Sequence, residues 1–276
     1  MEFPYELEYE IVQFAVRNHP TTAPALQLVA HRVKQWVDSI LHEYVVLDDC
    51  KNEGTTAQVR KLGQVYASTL TAETAKYTSS LCLTYHHKLR DEELSNMALC
   101  KRVYRLACWV EQSRYPTITS TIAQMPLQML SIELTHFMTL PKTSAFWLSR
   151  LTHLELIFWT HEEPPKLEPL DFLPSVTHVC LNWGSPDFPT SVETVLETCS
   201  TLKTLIITRM SGTWDRLQEF QSRRDAEHVD IIVMSTLKGL QDWKPGGQSI
   251  WEHAEEVIAA KNRSATGQKV IDATAC

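Results

Sequence analysis

Two Thr-His pairs stand one above the other in the chain, Thr152-His153 and Thr177-His178, and each is followed by a second reactive group. Glu155 lies two residues after His153, and Cys180 two residues after His178. Two imidazoles and a carboxylate are donor types that a divalent metal takes. A thiol near an imidazole is the beginning of a nucleophile and its base, provided a third group orients the base. Residues i and i+2 share a face only on a strand, so either chemistry needs an extended backbone here. The matching Thr-His pairs also read as one unit written twice, and on an open strand face Cys180 and His178 would meet water with no orienting partner. The expectation is therefore no catalytic residue, no metal and no cofactor, in a chain that is not an enzyme. His86-His87 reads as a solvated pair at a strand end.

The positioning element is a repeat. A pattern Φ-x-x-Φ-x-Φ (Φ apolar) recurs at Val103-Leu106-Cys108, Leu127-Leu130-Ile132, Leu151-Leu154-Leu156, Val176-Val179-Leu181 and Leu202-Leu205-Ile207. Weaker copies at Leu81-Leu83 and Ile231-Val233 bracket them. The middle residues fall at 81, 106, 130, 154, 179, 205 and 231, at intervals of 24 to 26 residues. That period resembles leucine-rich repeats, whose units run about 20–29 residues. Each copy predicts a short strand with one face in the core. The residues between the core positions then line the other, solvated face. Arg105, Trp109, Glu133, His153, Glu155 and His178 are the polar or aromatic groups there. Strands about 4.8 Å apart would spread them over roughly 30 Å, enough for a target protein, and Trp and Arg are common interface anchors.

The stretches between strands read as helical at Asp91–Cys100, Thr190–Cys199 and Thr213–Arg223, and as irregular from Glu163 to Pro174, where prolines interrupt. After Met234 the pattern breaks. Asp242 to Gly247 predicts a turn, and Ser249 caps a helix carrying Trp251, Ala254, Val257 and Ile258. A terminal element of that kind covers the open end of a repeat array. The residues beyond Asn262 read as a frayed tail.

Composition excludes several classes. The chain has 276 residues and only 8 glycines, against about 19 at the usual ~7%. It contains no GxGxxG, no GxxxxGK[ST] and no GxSxG, so dinucleotide, phosphate-loop and nucleophile-elbow sites are not expected. A net charge of −7 without a basic stripe argues against nucleic acid. Seven cysteines at scattered spacings, with no CxxC, suggest a reducing compartment and free thiols. The N-terminus carries acids and no basic residue, unlike a targeting peptide. No run of about 18 apolar residues is present, so no membrane span is expected; the expected location is cytoplasmic or nuclear.

The first fifty residues predict two amphipathic helices. Leu7, Ile11, Phe14 and Ala15 recur at helical spacing until Asn18-His19-Pro20 stops the helix. A second runs from Thr22 through Leu26, Val29, Val33, Trp36, Val37 and Ile40. Phe3-Pro4-Tyr5-Glu6-Leu7, with Ile11 four residues on, resembles the opening of an F-box, and Leu28 to Val33 resembles its second half. Phe3 stands where the pattern has Leu, and Val33 where it has Trp. The resemblance implies docking onto the Skp adaptor of a cullin–RING ubiquitin ligase through Pro4, Leu7, Ile11, Leu28, Val29 and Val33. Together with the repeats and the tryptophan-bearing tail, the chain resembles fungal F-box-like proteins with irregular leucine-rich repeats.

The expected fold is thus an α/β solenoid: an F-box-like helical segment (1–50), a helical connector (51–75), an irregular leucine-rich-repeat arc (76–237, about seven units), and a C-terminal capping helix and tail (238–276). The expected function is a non-enzymatic substrate-recognition subunit of an SCF-type ligase, binding the Skp adaptor and an unidentified target protein. The alternative is a free-standing repeat scaffold with no ligase role, whose N-terminal helices only cap the array and leave little apolar surface exposed.

Overall fold

A computed structural model describes residues 4–48, 69–84, 87–110, 115–142, 145–158, 166–183, 188–209, 229–235 and 249–265. Helix α1 (Tyr5–Asn18) starts directly after Pro4 and ends before Pro20, as a missing N–H and a fixed φ dictate. A 3-10 turn (Pro20–Thr22) and a short α2 (Ala23–Leu26) lead into α3 (His31–Leu41). These helices share a core of their own, built from Val12, Val16, Ala23, Val33, Trp36, Val37 and Ile40. Trp36 fixes the crossing. Its Nε1 donates to the Tyr5 hydroxyl at 3.0 Å, and its ring meets Tyr5 and Tyr9 edge-on at 5.0 and 5.7 Å. Arg32 bonds Glu8 at 2.6 Å beside it.

The chain divides into two compact units, Met1–Arg150 and Leu151–Cys276. In the first, β1 (Tyr44–Leu47), β2 (Ser80–Leu83), β3 (Arg105–Cys108) and β4 (Met129–Glu133) are parallel and lie in that order. Val45, Leu81, Leu106 and Leu130 stand in register and are fully buried. The returns hold short helices: α4 (Ala72–Ala75), α5 (Asp91–Met97) and α6 (Ile118–Ile122); α7 (Leu134–Thr139) follows β4 directly. A capping box starts α4, with the Thr71 hydroxyl accepting from Thr74 N and the Thr74 hydroxyl accepting from Thr71 N.

In the second unit β5 (His153–Ile157), β6 (His178–Trp183), β7 (Thr204–Arg209) and β8 (Asp230–Ser235) are again parallel and consecutive. Leu154, Val179, Leu205 and Ile231 form the matching row. Helix α8 (Phe188–Thr198) links β6 to β7, and α9 (Ile250–Ala265) ends the described chain. Ser249 and Glu252 close a reciprocal cap at its start, at 2.8 and 3.2 Å. Within neither unit does the strand order reverse, so the crevice that such a reversal opens in many parallel sheets is not built here.

The seven expected strands stand at their expected positions, but the fold class has to be corrected. The chain is an α/β protein of two parallel-sheet units rather than a solenoid arc. β1 falls inside the segment expected to be helical, and among the described residues the helices between strands are few and, α8 apart, short. Burial gives the physical reason. An arc of repeats keeps one strand face open, whereas every residue of β1 and β2, and Leu154 to Ile157 of β5, is buried. Covering on both faces is the normal condition of parallel sheets. Joining parallel strands takes a crossover of a dozen or more residues in any such sheet. A period near 25 therefore predicts parallel strands and their returns, without deciding whether one face stays open. The expected helix at Thr213–Arg223, the connector residues 51–68, the expected turn at Asp242–Gly247, His86 and residues 159–165 lie outside the described residues. Among the described residues, no helix is long and apolar enough to cross a membrane.

Candidate functional site

The residues singled out above fall on the N-terminal helices and on a strand row in each unit, and burial separates them. At about 100° per residue, Leu7, Ile11 and Phe14 form one stripe of α1, while Tyr9, Val12 and Val16 form another on the opposite side. The second stripe enters the helical core. The first points outward: Leu7 is 40% exposed, Ile11 52% and Phe14 68%. Leu28 and Val29, in the turn between α2 and α3, are exposed at 87% and 69%. Pro4 is exposed as well. Of the six residues expected to meet an adaptor, five thus stand at the surface. The sixth, Val33, is buried with Trp36 and Val37, where it closes the internal core. Phe14 is the residue that the motif reading missed. Its signal was present, since it continues the Leu7–Ile11 stripe at i+3 from Ile11.

The residues between the core positions form one row in each unit. In the first unit Trp109 and Glu133 are each 9% exposed and Ser131 is fully buried. The Trp109 Nε1 donates to the Ser131 hydroxyl at 2.7 Å. Arg105, at the start of β3, is half-buried. In the second unit His153 and His178 are register partners on β5 and β6, and their rings stack at 4.4 Å with an interplanar angle of 10°. Each Nδ1 is paired with the hydroxyl of the preceding threonine at 2.8 Å. The same Thr-His pairing on adjacent strands holds both rings alike, so that they lie nearly flat on one another.

Helix α9 lies over this stack. Trp251 meets His153 edge-on at 5.1 Å and His178 at 6.2 Å, and one turn later Glu255 Oε1 lies 3.0 Å from His178 Nε2. Trp251 and Ala254 are buried beneath the helix. Glu155 is buried, and Cys180 has no exposed surface. The expected solvated row is therefore mostly covered. Trp251 and Glu255 are the residues of this site that sequence reading did not assign to it, because 73 residues separate His178 from Trp251. Their helical i, i+4 spacing was legible; their destination was not.

A nucleophile at Cys180 has no route to a substrate from full burial. Burial also pushes the thiols of Cys100 and Cys108 up to about 12 and that of Cys199 to about 11. Among the described residues, no group of three or more His, Cys, Asp or Glu side chains is placed to hold a metal ion. No family model matches the chain, and no curated protein matches it.

A third polar cluster has a structural explanation. Glu93 of α5, with a side chain 1% exposed, accepts from Arg90 N at 2.9 Å and Arg90 Nη2 at 2.6 Å, and pairs with His87 Nε2 at 2.9 Å. Burial pushes its carboxyl up, but the Arg90 and His87 bonds outweigh that and hold it below the ordinary carboxylate value. The cluster caps α5 and ties the residues before it to the helix.

Proposed function

We propose that this chain is a non-enzymatic substrate-recognition subunit of a cullin–RING ubiquitin ligase, acting in the cytoplasm or nucleus. Its N-terminal helices dock the Skp adaptor, and its α/β body holds the protein to be modified. The supporting observation is the outward stripe of Leu7 and Ile11 with Leu28 and Val29, on helices whose own core is complete without them. Exposed apolar side chains gathered on one helix face mark an interaction surface, where single scattered ones do not. The scaffold reading expects those residues to be covered, and their exposure weighs against it.

The test is co-purification with the adaptor, comparing wild type with Leu7→Asp/Ile11→Asp. Leu7 and Ile11 are already about half buried, so covering the rest contributes about half of full burial, ~1.5–3 kcal/mol, and the double variant should lose affinity by about tenfold or more. Because both residues are exposed, circular dichroism should show an unchanged fold. Equal retention of wild type and variant, or no retention of either, rejects the reading.

A further inference from the structure

Apolar and charged side chains are both sorted on helix α1. Pro4, Leu7, Ile11, Phe14 and Asn18 follow one another at spacings of 3, 4, 3 and 4 residues, and all five are exposed. That alternation is the one by which a helix lays a seam against another helix. The charges beside the seam divide end for end. Glu6, Glu8 and Glu10 stand in the first half of α1 without a base, and Arg17 stands in its last turn, in a half without an acid. Acid first and base last suits the helix dipole, but an exposed apolar seam between them does not follow from it. At about 100° per residue, Glu6, Glu10 and Arg17 fall along one edge of the seam. Glu10 is exposed, and Arg17 keeps 44% of its side chain exposed although it bonds Glu43 at 2.8 Å.

We infer that the seam of α1 is a contact between two copies of this chain, with the helices antiparallel. A two-fold axis through such a contact carries each edge of the seam onto itself with its ends exchanged. Ile11 of one copy then lies beside Phe14 of the second copy, and Glu10 of each comes within side-chain reach of Arg17 of the other. A helix whose charge is segregated along its length is complementary to its own reversed copy, whereas a parallel copy sets acid against acid. A second copy is therefore the occupant whose charges fit. Three apolar side chains and their rims make a small contact, under about 1,200 Å² in total, and contacts of that size are transient. The pair forms and separates with concentration. Leu7 and Ile11 are also the side chains assigned to the adaptor, so each copy hides the other's docking surface. That regulatory consequence rests on the ligase reading; self-association does not.

Sedimentation velocity of the full-length chain across a concentration series tests the pairing. Wild type should pass from one copy to two, and added salt should weaken the pair. Phe14→Asp, at a position not assigned to the adaptor, should weaken pairing at least tenfold. Glu10→Arg and, separately, Arg17→Glu place like charges across the contact, and each should do the same. An equimolar mixture of these two variants restores both opposite-charge contacts and should pair within severalfold of wild type. Recovery in the mixture excludes misfolding as the cause of the loss. Wild type that stays a single copy at every concentration up to about 100 μM overturns the inference. Pairing that Phe14→Asp and Glu10→Arg leave unchanged overturns it as well, as does a mixture that does not recover. Added adaptor should lower the paired fraction of wild type. Retention of the adaptor with that fraction unchanged rejects the shared surface, while no retention beside intact pairing rejects the ligase reading alone.

Discussion

Replacing Glu93 with glutamine tests whether local stability around α5 rests on one buried carboxylate. Oε2 serves both the Arg90 amide and His87, and Oε1 serves the Arg90 guanidinium. Glutamine has one acceptor oxygen in place of two, and its amide presents donors to a donor. With the oxygen placed toward the amide and His87, the guanidinium contact is lost and the two remaining bonds lose their charge. Losing a hydrogen bond to a charged group costs about 1.5–3 kcal/mol. Amide exchange inside α5, for example at Leu94, whose N–H bonds Arg90 O at 3.0 Å, should then accelerate by roughly 10- to 140-fold. Arg90→Ala removes the same contact from the other side. That guanidinium is 62% exposed, so its loss should cost no more than about 1 kcal/mol, roughly fivefold in exchange. Acidity supplies a second check. The folded carboxyl titrates below 4.5, its ordinary value, so its stabilisation is complete above that value and fades as pH falls through the folded one. Glu93→Gln and wild type should therefore converge in strong acid. Hydrogen-exchange mass spectrometry decides: equal exchange in Glu93→Gln and Arg90→Ala, or no convergence in acid, refutes the buried-carboxylate account.

The raised thiols of Cys100, Cys108 and Cys199 should make the folded protein alkylate at these positions at least 100-fold more slowly near pH 8.5 than in urea. Mass spectrometry after iodoacetamide treatment reads this, and native alkylation at the urea rate would contradict their burial. Leu130→Ala, at a fully buried register position, should cost about 2–5 kcal/mol in urea unfolding. Leu28→Ala, at 87% exposure, should stay within about 0.5 kcal/mol, and a comparable loss at both sites would mean that Leu28 is packed in solution.

Strand positions were legible because burial of Leu81, Leu106, Leu130, Leu154, Val179 and Leu205 leaves a mark on the sequence that repeats with each return of the chain. The helix cap at Ser249 was legible for a local reason: Ser249 and Glu252 satisfy each other within one turn. The fold class was not legible, because alternation along a strand separates two faces without saying what lies on either. His153, Glu155 and His178 are polar at the positions of an open face, and a polar residue under a helix looks the same in the sequence as one under water. Strand β1 escaped notice because Tyr44-Val45-Val46-Leu47 has no polar alternation at all, as suits a strand buried on both faces.

The N-terminal helices show the converse limit. Leu7, Ile11 and Phe14 satisfy every criterion of a core-facing stripe, yet Val12 and Val16 hold that place. A helix with two apolar stripes can bury either one, and the choice falls to the partner that meets it first. Here α3 meets α1 through Trp36, whose indole bonds the Tyr5 hydroxyl and packs on Tyr9. Tyr9 lies beside Val12 and Val16 on the helix, so seating the indole there commits that side to the interior. Leu7, Ile11 and Phe14 are then left outward by the geometry of one aromatic contact. It follows that the exposed stripe and the Trp36 contact are coupled: a variant that dislodges Trp36 should disturb the adaptor docking proposed above without altering any residue of the exposed stripe.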